Sequence, residues 1–237
     1  MVLQDISGSL GKSNAHTVTM EVVRDFVEAA APDDQLGLVD FSNQAYFDIP
    51  LESPGAFTEQ LKKIKGNIRP SGPTILFDAL EASADYLHKS SEEGDSVFVI
   101  SDGLDNASTN NQQQLAADLA KDNVRVYLFL LETPVTDKQR IQLGATLKII
   151  SSTGGVTVPL RSLDPTLQTR FDNAPHYAFK EDQLRADVGD IYRLIRNPYR
   201  IMFEMTDRIK TPTSVKISLS GPQDANDRLF CPDQIHP

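Results

Sequence analysis

The sequence predicts a doubly wound α/β fold: a mostly parallel sheet flanked by helices (Rossmann-like), followed by a C-terminal β-hairpin extension. Apolar runs of strand length, such as Val97–Ile100 and Val124–Leu131, alternate with segments of helical periodicity. Such alternation builds parallel sheets through crossover helices. The run Val97–Ile100 is continuously apolar, as in strands covered on both faces. Finally, Asp5 and Asp102 each follow the carboxyl end of a predicted strand. Ligand sites of open α/β sheets form there, near a reversal of strand order.

Taken in order, the chain begins with a short strand over Met1–Gln4. Residues 14–31 read as a helix through Val18, Val22, Val23, Phe26, Val27 and Ala30, stopped by Pro32. Leu36–Phe41 is a buried-type strand, and Asn43-Gln44 turns the chain into an antiparallel edge strand over Ala45–Ile49. A short helix covers 55–65, and 70–73 is a breaker cluster. Thr74 opens a second strong helix through Leu76, Ala79, Leu80, Ser83 and Leu87. A strand at 96–101, a helix at 110–121, a strand at 124–131, a helix at 137–152 and a strand at 156–160 follow. Residues 161–179 read as a surface connection and 180–196 as a helix. Two β-like runs, Tyr199–Met205 and Ser214–Leu219, suggest a hairpin, and the polar tail from Gly221 reads as loose. The expected organisation is one domain over 1–197 and an extension with a tail over 198–237.

The 237 residues are ample for one large α/β domain. A net charge of −10 argues against a nucleic-acid partner and fits metal binding or a cationic partner surface. Cys231 is the lone cysteine, so no intrachain disulfide forms. No apolar run approaches the roughly 20 residues that span a bilayer, and no signal peptide is visible. The first strand is short for a central one, which reads as truncation at the N-terminus. An extracytoplasmic location is favoured if an upstream signal is missing, and a cytoplasmic one otherwise.

The chemistry concentrates in Asp5-Ile6-Ser7-Gly8-Ser9, which offers a carboxylate and two hydroxyls on alternate positions around a glycine. Hard oxygen donors suit a small divalent cation such as Mg²⁺, and Mn²⁺ or Ca²⁺ takes the same donors. Thr74, after Gly72-Pro73, adds a hydroxyl, and Asp102, after the strand at 96–101, adds a carboxylate. We expect Asp5, Ser7, Ser9, Thr74 and Asp102 to converge on one metal. The blander reading is a polar turn capping a helix. Asp78 is expected to hydrogen-bond loop backbone, Asp105 to cap or brace the loop before 110–121, and Asp40 to lie near the site or in solvent. His16 is expected to be exposed or helix-capping.

A first strand followed by D-x-S-x-S, a threonine before a helix, and Ser101-Asp102-Gly103 after a later strand together resemble the von Willebrand factor type A domain. The resemblance covers roughly residues 1–196, and the runs Thr74–Leu80 and Asp102–Asn106 are similar to bacterial members. It implies a metal-ion-dependent adhesion site. Ser7, Ser9 and Thr74 would ligate Mg²⁺ directly or through water, and Asp5 and Asp102 would supply charge. The open coordination position would accept an Asp or Glu carboxylate of a protein partner, without turnover. The chain departs from the family at Gly72-Pro73, where Gly-Gly often precedes the threonine, and in its short first strand.

A metal-independent scaffold using another surface is the alternative binding module. Among enzymes, a nucleotide hydrolase is suggested by Gly11-Lys12-Ser13, but its phosphate loop needs a glycine where Ile6 stands. A phosphatase with Asp5 as nucleophile lacks the nearby second carboxylate, since Ser7 holds that place. No G-x-S-x-G elbow supports a serine hydrolase. The histidines His16, His88, His176 and His236 are scattered without ligand spacing.

Overall fold

A computed structural model describes residues 1–10, 15–64, 71–89, 95–133, 135–160, 180–196, 213–214 and 234–235. The main sheet comprises β1 (Val2–Asp5), β2 (Leu36–Phe41), β3 (Ala45–Glu52), β4 (Ser96–Ser101), β5 (Arg125–Leu131) and β6 (Thr157–Leu160). Its spatial order is β3-β2-β1-β4-β5-β6. All neighbours run parallel except β2 and β3, which form an antiparallel hairpin at the edge. Chain order reverses between β1 and β4, so the switch point lies between the ends of those two strands.

The helices are α1 (Ala15–Ala29), α2 (Pro54–Leu61), α3 (Leu76–His88), α4 (Gln112–Lys121), α5 (Asp137–Ser152) and α6 (Glu181–Arg196). Period-two alternation along the strands splits the core into two layers. Val2, Phe98, Ile100, Tyr127 and Phe129 face α1 and α6, joining Val18, Val22, Phe26, Leu184, Val188 and Ile191. Leu3, Val97, Val99, Val126 and Leu128 face the other way, joining Leu76, Leu80, Leu115, Leu119 and Ile149 of α3, α4 and α5. Phe26 anchors the first layer. Its ring lies 4.0 Å from that of Phe98 and meets Phe129 edge-on at 6.0 Å.

The ends of the elements correct several expected boundaries. The helix expected from Thr74 begins at Leu76, because the backbone of Thr74 is engaged elsewhere: its N–H donates to Asn106 Oδ1 and its carbonyl accepts from Asn106 and Ala107. The helix expected from 110 begins at Gln112, since the Asn111 side chain accepts from Gln113 and Gln114 and caps it. Residues 137–152 are helical as expected, opened by a reciprocal capping box between Thr136 and Gln139. The edge strand runs through Pro50 to Glu52, past the expected end at Ile49. Proline is tolerated on an edge, and irregularities in the β2–β3 register mark this stretch.

The connection over 161–179 and the boundary at 197–198 lie outside the described residues. So does nearly all of the expected hairpin. Thr213–Ser214, β7, pairs antiparallel with Gln234–Ile235, β8, so the tail read as loose contributes a short strand.

Phe26 is buried against two other aromatic rings. Phe26→Ala is expected to lower unfolding stability by roughly 3–5 kcal/mol, measured by urea denaturation as a lower midpoint with an unchanged slope.

Candidate metal centre

The switch point brings together segments far apart in sequence. Backbone hydrogen bonds tie the loop after β1 to its neighbours: Ile6 N donates to Phe41 O at 2.9 Å, Gly8 N to Gly72 O at 3.1 Å, and Ser71 N to Ile6 O at 3.0 Å. Ile75 N donates to Ser42 O at 2.9 Å, joining the loop before α3 to the β2–β3 turn.

Within this frame Asp5 ends β1 and is buried. Its Oδ1 accepts from Ser7 N at 2.8 Å, and its Oδ2 accepts from Ser101 Oγ at 2.6 Å. Ser7 Oγ lies 3.1 Å from Ser9 Oγ, and Ser9 Oγ donates to Asp102 Oδ2 at 3.1 Å. Asp102 Oδ1 accepts from Leu104 N at 3.1 Å. Asp5, Ser7, Ser9 and Asp102 thus form one hydrogen-bonded run. Thr74 is buried two residues beyond Gly72, the acceptor for Gly8, and no direct bond joins it to that run.

Burial pushes Asp5 up from the ordinary carboxylate range to about 6, and the nearby Asp102 charge adds to the effect. Burial also raises Asp102, against hydrogen bonds from Leu104 and Ser9. Among the described residues no cationic side chain offsets either acid. Nor do three His, Cys, Asp or Glu side chains gather closely enough to hold an ion. A cation held here would draw on two carboxylates and hydroxyl oxygens. That donor set is entirely hard oxygen, and the uncompensated negative charge fits a small divalent ion.

Supporting residues escaped the sequence reading. Ser101 braces Asp5 and accepts from Gly103 N at 3.0 Å; as the hydroxyl closing an otherwise apolar run, it was visible without an assigned role. Gly103 has φ +73°, and a Cβ there would lie 2.7 Å from Leu143 Cδ1, so the turn behind Asp102 requires glycine. Asn106 orients Thr74 through its backbone. Asp78 does hold loop backbone, accepting from Thr109 N and Asn110 N. Asp105 braces its own loop through Ser108 N and also caps the start of α3 at Phe77 N.

Two expectations are corrected. Asp40 is not in solvent; it is buried on β2, and burial beside Asp48 raises it to about 7. His16 is neither exposed nor a helix cap; it is half-buried, with Nδ1 2.8 Å from Gln4 Nε2. Lys12, Cys231, His176 and His236 lie outside the described residues.

The sequence matches the von Willebrand factor type A domain model over residues 1–168. The chain belongs to the von Willebrand factor type A domain family. Solved structures agree in fold. The conserved hypothetical protein BatB from Bacteroides thetaiotaomicron superposes with a TM-score of 0.58 at 16% identity, covering 83% of this chain and 98% of that one. A von Willebrand factor type A protein from Catenulispora acidiphila gives 0.57 at 12% identity, over 82% of this chain and 41% of that one. The SpRpn10 VWA domain gives 0.52 at 14% identity, over 84% and 94%. No curated protein matches the sequence. At these identities the structural likeness establishes the type A fold, and the geometry above belongs to this chain.

The raised acid fixes a sign. The folded metal-free domain keeps a proton on Asp5 that the unfolded chain releases near pH 4, so stability falls as pH rises through about 6. The expected loss is roughly 2 kcal/mol between pH 4 and 6.5, measured by urea denaturation in EDTA. Asp5→Asn should remove that part of the slope.

Proposed function

We propose that this type A domain is a divalent-metal-dependent protein-binding module, with Mg²⁺ held by Asp5, Ser7, Ser9, Thr74 and Asp102. The supporting observation is the hydrogen-bonded run from Asp5 through Ser7 and Ser9 to Asp102, with both acids buried at the switch point and no compensating cationic side chain among the described residues. Type A domains are protein-interaction modules, and this donor set supports the finer reading. When bound, the ion supplies the missing positive charge and a coordination position for an Asp or Glu carboxylate of the partner. Mn²⁺ or Ca²⁺ would use the same oxygens.

The chain's own part is positioning. Ser101 fixes the Asp5 carboxylate, the turn at Gly103 fixes Asp102, and Asn106 fixes the backbone of Thr74. The site is read as one of recognition without turnover. Of the histidines described, His16 is bonded to Gln4 and His88 lies beside Asp122, so neither is a proton carrier for Asp5. Among the described residues no helix is long and apolar enough to cross a membrane.

The test is thermal unfolding in EDTA and then with added metal. A ligand that binds the native state at a hundredfold its dissociation constant stabilises by about 2.7 kcal/mol. Wild type should show a metal-dependent rise in Tm. Asp102→Ala should abolish it, and Ser9→Ala, at an exposed position, should weaken it. No rise at millimolar Mg²⁺ or Mn²⁺ would sink the metal reading and leave a scaffold that binds through another surface.

A further inference from the structure

Gln4 and Asp40 occupy inward-facing positions of β1 and β2, on the face that carries Val2, Leu36 and Leu38 into the α1 layer. They are register partners in the parallel ladder, so their side chains leave the sheet side by side. Both are buried, at 1% and 5% exposure. Gln4 Nε2 lies 2.8 Å from His16 Nδ1 in the first turn of α1. With the amide in that orientation, Gln4 Oε1 and Asp40 Oδ1 are both buried acceptors without a hydrogen-bond partner. Unmet acceptors on two adjacent side chains are an arrangement that folds avoid.

A half-turn of the Gln4 amide exchanges its oxygen and nitrogen without moving another atom. The His16 Nδ1–H then donates to Gln4 Oε1, and the amide nitrogen takes the place of the unmet oxygen beside Asp40. One rotation gives Gln4 Oε1 a donor and presents the amide N–H on the face of the sheet that its register partner Asp40 shares. Asp40 has a second neighbour. Leu38 pairs with Ile49 but Val39 pairs with Phe47, which leaves Asp48 as the extra residue of a bulge in β3. The Asp48 carboxylate stands within hydrogen-bonding reach of Asp40.

We propose that His16, Gln4, Asp40 and Asp48 form one hydrogen-bonded relay across α1, β1, β2 and β3: His16 Nδ1–H donates to the Gln4 carbonyl, the Gln4 amide donates to Asp40, and the Asp40 O–H donates to the Asp48 carboxylate. The groups facing Asp40 are Asp48 from β3 and, through Gln4 of β1, His16 from α1. Burial together with Asp48 holds Asp40 at about 7. Burial lowers His16, which favours its neutral form. Because the folded value of the acid is raised, the relay stabilises the domain below neutrality. That contribution is lost as pH rises through 7 and Asp40 ionises against Asp48. The next residues of the chain, Phe41 and Ser42, offer the carbonyls that hold Ile6 and Ile75. The relay therefore makes the frame of the switch-point loops proton-sensitive, whether or not a metal binds there.

The experiment uses the whole chain in EDTA. The ¹⁵N shifts of His16 should report a neutral Nδ1–H tautomer; an Nε2–H tautomer overturns the amide orientation. The ¹³C carboxyl resonance of Asp40 should titrate near neutrality and shift down toward the ordinary carboxylate range in Asp48→Asn. An ordinary midpoint in wild type, or an unmoved one in the variant, overturns the shared proton. Between pH 6 and 8 the wild-type Tm should fall more than that of Asp40→Asn. Equal falls count against the relay, and Asp48→Asn, at an exposed position, supplies the same comparison if Asp40→Asn does not fold.

Discussion

Two buried carboxylates of like charge stand at the centre of this domain, and much of the surrounding structure follows from their placement. Asp5 ends β1 and Asp102 directly follows the neighbouring central strand β4. Burial alone disfavours their ionised forms, and proximity disfavours having both ionised. The fold offsets part of that cost with directed hydrogen bonds from Ser7, Ser9, Ser101 and Leu104. The loops that carry the two acids are pinned to one another by backbone bonds, which hold the acids close together.

The apolar layers on both faces of the sheet carry this arrangement. Aromatic packing among Phe26, Phe98, Phe129 and Tyr127 lies on one face, and a largely aliphatic layer on the other. Helix α6 adds Leu184, Val188 and Ile191 to the first layer, and its Arg185 reaches Asp25 and Glu28 of α1.

The architecture was legible because periodicity reports burial, and burial decides the sheet. Continuous apolar runs marked β4 and β5, and helical spacing marked α1, α3 and α5. The gathering of Asp5, Ser7, Ser9 and Asp102 followed from strand ends facing one switch point. What stayed hidden depended on contacts between distant segments. Thr74 looked like a helix start, because nothing in its neighbourhood announces that Asn106 and Ala107 claim its backbone. Asp40, at a strand end, was open to a place near the site or in solvent; it is buried on a strand paired with β1 on one side and β3 on the other. Ser101 and Asn106 are short polar residues whose roles exist only across the loop gap.

The irregular β3 has a consequence for the sheet as a whole. An open edge of unpaired N–H and C=O groups invites a further strand from another chain. Here the edge is interrupted by Pro50, bent by register shifts, and carries the charges of Asp48 and Glu52. A straight, uncharged incoming strand finds neither continuous donors nor a flat surface. Growth of the sheet by addition on this side is opposed by the same irregularities that set Asp48 beside Asp40, so straightening β3 would expose the domain to edge-to-edge aggregation.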